Sequence, residues 1–218
     1  YGNCAIDDDG TGLLTLKSAI GKQTGDAGHL ADIIPERPGL EKWACGEGSG
    51  PKSFLVDAAT GELLWATELG DQGRATAGDL VPDFLGMECW GGTEGLRTAN
   101  NTFAGPNPSS TNHVVWWDGD LGRELLDASG SDPNYTPYIR KYAGPDLLTA
   151  NGCNSNNSTK RNPCLQADLF GDWREEVIWR TNDNNNLRIF STTIPTTYRI
   201  PTLMHDPGYR LAIACQNN

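Results

Sequence analysis

Three observations on this sequence predict an all-β fold built from repeated antiparallel units. The first is punctuation: 26 glycines and 13 prolines, with recurrent Asn-Asn, Asp-Gly and Asn-Pro pairs, cut the chain into short segments with no long amphipathic helical pattern. The second is strand chemistry. Ser53-Phe54-Leu55-Val56-Asp57 and Glu62-Leu63-Leu64-Trp65 flank the turn Ala58-Ala59-Thr60-Gly61 as a hairpin, and Leu187-Arg188-Ile189-Phe190-Ser191 alternates with period two. The third is repetition. Ala31-Asp32 precedes Gly39-Leu40-Glu41-Lys42-Trp43, Gly78-Asp79 precedes Gly86-Met87-Glu88-Cys89-Trp90, and Ala167-Asp168 precedes Glu175-Glu176-Val177-Ile178-Trp179. Each is a small residue, an aspartate, a glycine-bearing turn, a glutamate and an apolar strand. The first two aspartates lie 47 positions apart and the last two 89 apart, close to twice that period. A period of roughly 40 to 50 residues is one four-stranded blade of a β-propeller, so residues 1–218 are expected to form a single partial propeller domain of about four to five blades. A β-sandwich with accidental similarity between segments is the competing architecture.

Composition bounds the function. A net charge of −11 argues against nucleic acid and anionic membranes as partners, and an acidic ligand would require bound cations. Seven tryptophans and 37 % hydrophobic residues allow a substantial core, while no apolar run approaches the roughly 18 to 20 residues of a membrane span. Six cysteines (Cys4, Cys45, Cys89, Cys153, Cys164 and Cys215) include no CxxC pair of the zinc or thiol-exchange kind. Glycosylation sequons begin at Asn100, Asn134, Asn156 and Asn157, and secretion is the expected localisation. The chain begins at Tyr1 without a methionine, which reads as a processed or partial chain.

Asp32, Asp79 and Asp168, each followed eight or nine residues later by Glu41, Glu88 and Glu176, suit a hard cation such as Ca²⁺. Asp172 lies in the last of these turns, and His29, three residues before Asp32, is a further candidate ligand or an ordinary strand residue. The alternative for the aspartates is turn capping through side chain to backbone hydrogen bonds. Asp7-Asp8-Asp9-Gly10-Thr11-Gly12 lacks the alternation and closing glutamate of an EF-hand and reads as a hairpin turn. Lys160 ends the polar run Asn156-Asn157-Ser158-Thr159 between Cys153 and Cys164, close enough in sequence for a disulfide to stiffen the loop. A positioned base needs such stiffness; a solvated surface lysine is the plainer reading. Arg74 is an anion clamp or a surface charge. His113 and His205 read as packed or turn residues, and there is no serine elbow or phosphate loop.

The run from Asn157-Ser158-Thr159-Lys160 through Ala167-Asp168-Leu169-Phe170-Gly171-Asp172-Trp173-Arg174-Glu175-Glu176, with Thr202-Leu203-Met204-His205-Asp206-Pro207-Gly208-Tyr209-Arg210 and Gln216-Asn217, resembles the C-terminal region of the polysaccharide lyase family 11 rhamnogalacturonan lyases. Ile6-Asp7-Asp8-Asp9-Gly10-Thr11-Gly12-Leu13, Arg37-Pro38-Gly39-Leu40-Glu41, Gly73-Arg74 with Ala77-Gly78-Asp79, and Trp116-Trp117-Asp118-Gly119-Asp120-Leu121 with Arg123-Glu124-Leu125-Leu126 are similar to family segments in the same order. The resemblance implies an eight-bladed, calcium-loaded propeller that cleaves the galacturonate–rhamnose backbone of an acidic plant cell-wall polysaccharide by β-elimination. It implies Lys160 as the base or its partner, Arg74 as a second cationic catalytic group, and Asn157, Ser158 and Thr159 as sugar contacts. Ser158 stands where a glycine is expected. The family is longer, which implies a missing N-terminal half of the propeller and a substrate-contacting tyrosine beyond Gln216-Asn217. Two functions follow as expectations: a secreted, calcium-dependent rhamnogalacturonan lyase, or a non-catalytic carbohydrate-binding or structural subunit of an extracellular assembly. A remainder of the same propeller, or another copy, would then cover the exposed blade edges.

Overall fold

The expected hairpin is formed by β5 (Ser53–Asp57) and β6 (Leu63–Ala66), with Leu55 opposite Trp65. Its turn is held by Asp57 Oδ1, which accepts from the amides of Ala59 and Thr60 at 3.0 and 2.7 Å, and by Gly61 at φ 74°. The computed structural model describes residues 28–46, 53–68 and 70–216, together with the backbone of β1 (Cys4–Ile6) and β2 (Gly12–Thr15), which pair antiparallel. The expected turn at Asp7–Gly10 between those two strands lies outside the described residues, as does Asn217. The chain divides into two units, Tyr1–Thr111 and Asn112–Asn218.

In the first unit, β3 (Gly28–Ala31), β4 (Glu41–Cys45), β5 and β6 form one antiparallel meander. A second meander contains β7 (Thr76–Gly78), β8 (Glu88–Trp90), β9 (Leu96–Arg97) and β10 (Phe103–Gly105). The sheets share a core of Ile33, Trp43, Leu55, Ala77 and Cys89. Buried indoles need partners for their N–H groups, and here these bonds tie sheet to sheet: Trp43 Nε1 donates to Trp90 O at 3.3 Å and Trp65 Nε1 to Ala99 O at 2.8 Å.

The second unit opens with the meander β11 (His113–Val115), β12 (Glu124–Ser131), β13 (Asn134–Arg140) and β14 (Asp146–Thr149). It continues with β15 (Cys153–Asn154), β16 (Leu165–Ala167), β17 (Glu176–Thr181) and β18 (Leu187–Phe190). Ile178 pairs with both Leu165 and Ile189, and Arg180 with both Asn154 and Leu187, so β18 takes one edge of β17 while β15 and β16 share the other. Val115, Trp117, Leu126, Ile139, Val177 and Trp179 form the core. The short helix α1 (Pro207–Ala214) starts at an Asp206 cap with proline in its first turn. Tyr209 Oη accepts from the Asp168 amide at 3.0 Å and donates to Glu175 Oε1 at 2.8 Å. The Gln216 amide pairs in both directions with the backbone of Gln166, at 3.0 and 2.6 Å, closing the β16 edge that would otherwise expose strand hydrogen bonds.

The all-β expectation is therefore met by four four-stranded antiparallel sheets and a two-stranded ribbon, with almost no helix. No helix among the described residues is long and apolar enough to cross a membrane.

Candidate functional site

One construction recurs in all four larger sheets. A short strand ends in a turn whose amides lack ladder partners, and a glutamate at the start of the next strand accepts them. Glu41 Oε2 accepts from Ile33 and Ile34 at 2.9 and 3.0 Å, and Glu88 Oε2 from Leu80 and Val81 at 2.8 and 2.9 Å. Glu124 Oε2 accepts from Trp117 and Asp118 at 2.8 and 3.3 Å, and Glu176 Oε2 from Leu169 and Phe170 at 2.9 and 3.1 Å. All four side chains are buried. The repeat thus has a fourth member, missed in the sequence because Trp116 follows its first strand where the others have aspartate; the run Glu124-Leu125-Leu126 was the available signal.

The expected metal ligands are dispersed. Among the described residues, the group of three carboxylate or histidine ligands with atoms within 4.8 Å of one another is Asp118, Asp120 and Glu124, none of them in the expected set. Asp32 is exposed, and His29 sits in β3 opposite Trp43. Asp168, 2 % exposed, caps its turn: Oδ1 accepts from Gly171 N at 2.7 Å, and Oδ2 from Thr202 Oγ1 at 2.7 Å and Leu203 N at 2.8 Å. Asp172 pairs with Arg174. Glu88 is different. Its Oε1 is buried without a hydrogen-bond partner, and burial pushes its pKa up to about 7, with the Asp79 charge adding to the rise against the Leu80 and Val81 amides. A buried, unsatisfied oxygen beside a second carboxylate fits a calcium ion.

The sign of the resulting pH dependence follows. The folded pKa lies above the ordinary 4.5, so in chelator Glu88 contributes stability that is complete below that ordinary value and lost as pH rises through about 7. Thermal melts in EDTA from pH 4 to 8 are expected to show a steeper alkaline decline for wild type than for Glu88→Gln, and calcium is expected to remove the difference. Parallel profiles in EDTA would contradict this assignment.

The lysine loop is held by hydrogen bonds of its own. Asn156 and Asn162 exchange backbone hydrogen bonds at 2.8 and 3.1 Å, closing a loop in which Ser158–Lys160 form one 3₁₀ turn. Asn157, Ser158 and Arg161 have φ of 59°, 49° and 54°, a left-handed conformation that explains why glycine is natural at Ser158. Asn112 Nδ2 donates to Asp127 Oδ1 at 3.0 Å and reaches Thr159 O at 3.4 Å, Arg161 Nη1 donates to Asp127 Oδ1 at 3.2 Å, and Arg180 Nε donates to Asn156 Oδ1 at 2.9 Å. The expected disulfide is absent: Cys153 and Cys164 are free thiols, Cys153 facing the core and Cys164 Sγ accepting from Asn156 Nδ2 at 3.3 Å. The stiffness comes from the asparagine bridge and the Asp127 brace. Lys160 itself is half-buried and forms no ion pair or side-chain hydrogen bond with any described residue.

Lys160, Asn157, Ser158 and Thr159 are thus gathered on one loop, while Arg74 belongs to the first unit. Arg74 precedes β7 as Lys160 precedes β16, in each case at the end opposite the glutamate-clasped turn. A three-residue strand, about 10 Å long, separates the two ends. A braced loop carrying amide and hydroxyl groups beside an amino group with no partner among the described residues can hold a carboxylate when that group is protonated and take a proton when it is neutral.

Similarity to known proteins gives the family. The whole chain, residues 1–218, matches the family described as rhamnogalacturonan lyase family 11, C-terminal domain, and it belongs to that family. It is 48 % identical over 222 residues to rhamnogalacturonan endolyase YesW and 45 % identical over 235 residues to rhamnogalacturonan exolyase YesX, both of Bacillus subtilis (strain 168). These alignments take in 100 % of this chain but 34 % and 38 % of the relatives, so the chain spans about a third of their length. The crystal structure of exotype rhamnogalacturonan lyase YesX superposes with a TM-score of 0.91 at 44 % identity, over 99 % of this chain and 38 % of that one. For Bacillus licheniformis rhamnogalacturonan lyase PL11 the TM-score is 0.87 at 44 % identity, over 99 % and 36 %.

Proposed function

We propose that this chain is part of the catalytic β-propeller of a secreted, calcium-dependent rhamnogalacturonan lyase, with its four larger sheets as blades. The observation that carries the reading is the Lys160 amino group, without a side-chain partner among the described residues, on a braced loop of amide and hydroxyl groups. Neutral lysine takes the C5 proton of galacturonate, the C4–C5 double bond forms, and the C4–O bond to the rhamnose side breaks. The departing oxygen then acquires a proton. Asn157, Ser158 and Thr159 supply sugar contacts, and Arg74, on the first unit, is proposed as a cationic group that binds a uronate carboxylate of the polysaccharide. Calcium, when bound by Asp79 and Glu88, would supply charge compensation to the buried Glu88 carboxylate; the position of that turn, away from the Arg74 end of β7, supports a structural role.

Incubation with rhamnogalacturonan I and calcium is expected to release fragments ending in an ultraviolet-absorbing unsaturated uronate. Binding of the polysaccharide with no such product would instead assign the chain to the non-catalytic subunit role.

A further inference from the structure

Four buried glutamates carry charge into four turns, and the sheets compensate it differently. In the β4–β5 ladder Glu41 faces Asp57. Extending the β12–β13, β17–β18 and β8–β9 registers by one pair places Lys141 opposite Glu124, Ser191 opposite Glu176 and Thr98 opposite Glu88. Arg37 answers the Glu41–Asp57 pair, with Nε 3.8 Å from Glu41 Oε1 and Nη2 3.1 Å from Asp57 Oδ2. Glu88 and Glu176 form no ion pair among the described residues. At Glu124 the cation is closest: Lys141 Nζ stands 2.7 Å from Asp118 Oδ2, 2.8 Å from Asp120 Oδ2 and 2.8 Å from Glu124 Oε1.

This is the geometry of a cation site with a cation in it. An ammonium has three donors and here meets three carboxylates. The turn is folded to present them, because Asp118 Oδ1 accepts from Asp120 N at 2.9 Å and Asp120 Oδ1 from Gly122 N at 2.8 Å, leaving each Oδ2 directed at the lysine. The Lys141 amide is fixed by Pro145 O at 3.1 Å. The three ligand oxygens lie within 4.8 Å of one another, a span that two calcium–oxygen bonds of about 2.4 Å bridge.

We infer that Lys141 is a tethered counter-ion occupying the place of a divalent cation, so that the β11–β14 sheet holds its acidic turn without metal and removal of the lysine side chain opens a calcium site. Shortening the side chain leaves three carboxylates with no compensation, and calcium completes its shell there with backbone oxygens and water.

The test is calcium stoichiometry by isothermal titration on chelator-stripped protein. Lys141→Ala is expected to bind one more Ca²⁺ per chain than wild type, to melt below wild type in EDTA, and to recover most of that loss in millimolar calcium. Asp120→Asn added to Lys141→Ala is expected to abolish the gained site. Equal stoichiometry for a folded Lys141→Ala and wild type would overturn the inference. Asp120→Asn in the Lys141 background decides independently of whether Lys141→Ala folds: unchanged calcium stoichiometry supports the tethered ammonium, and loss of one ion shows that calcium already binds there and refutes it. None of these readouts depends on lyase activity.

Discussion

Lys160→Ala is expected to lower the rate of rhamnogalacturonan cleavage by about 10²–10⁴-fold, the range a positioned general acid or base supplies, while the melting temperature stays within a degree or two of wild type. The second half of that expectation matters as much as the first. The Lys160 side chain forms no ion pair or hydrogen bond with the described residues, so removing it breaks none of the contacts that hold the loop: the Asn156–Asn162 bridge and the Asp127–Arg161 brace remain. A rate loss accompanied by a large melting shift would indicate a structural lysine. Retained activity with an intact fold would remove Lys160 from the reaction. Polysaccharide binding separates the remaining roles, since a base acts on the chemical step whereas a carboxylate clamp would mainly weaken binding.

The largest stability effect is expected at the glutamate clasp. Glu176→Leu fills the space but leaves the part-buried Leu169 and Phe170 amides without their acceptor, each costing up to about 1–3 kcal/mol. Glu176→Gln keeps a carbonyl oxygen in place. Burial already raises the Glu176 pKa, so a neutral acceptor is less disfavoured there than in water. Denaturant melts are therefore expected to show a loss of several kcal/mol for the leucine variant and little loss for the glutamine variant. Similar destabilisation by both would mean that the charge, and a cation bound to it, matters more than the acceptor.

Much of this was legible in the sequence because strands and turns write themselves locally. Phe54 to Trp65 declares its hairpin through apolar strands around Asp57 and Gly61, and the Asp-to-Glu spacing declares the repeat. The meaning of the glutamate was harder to read. Whether a carboxylate holds calcium or two amides depends on its burial, which spacing alone does not carry. The cysteine pair failed for a similar reason: proximity in sequence does not show that Cys153 faces the core. Lys141 was invisible, since its partnership with Glu124 exists only across the β12–β13 register, 17 residues away. Arg161 and Asp127 brace the loop through an equally long-range contact, while the Asp206-Pro207 start of α1 was a readable helix signal too short to stand out.

The central claim is a lysine-driven elimination, and its most direct test is mass spectrometry of the products formed in heavy-oxygen water. Elimination draws no oxygen from solvent, so the predicted fragments sum to the mass of the substrate, and the new uronate end is unsaturated and unlabelled. Fragments that together gain one labelled water would show hydrolysis and contradict the assignment.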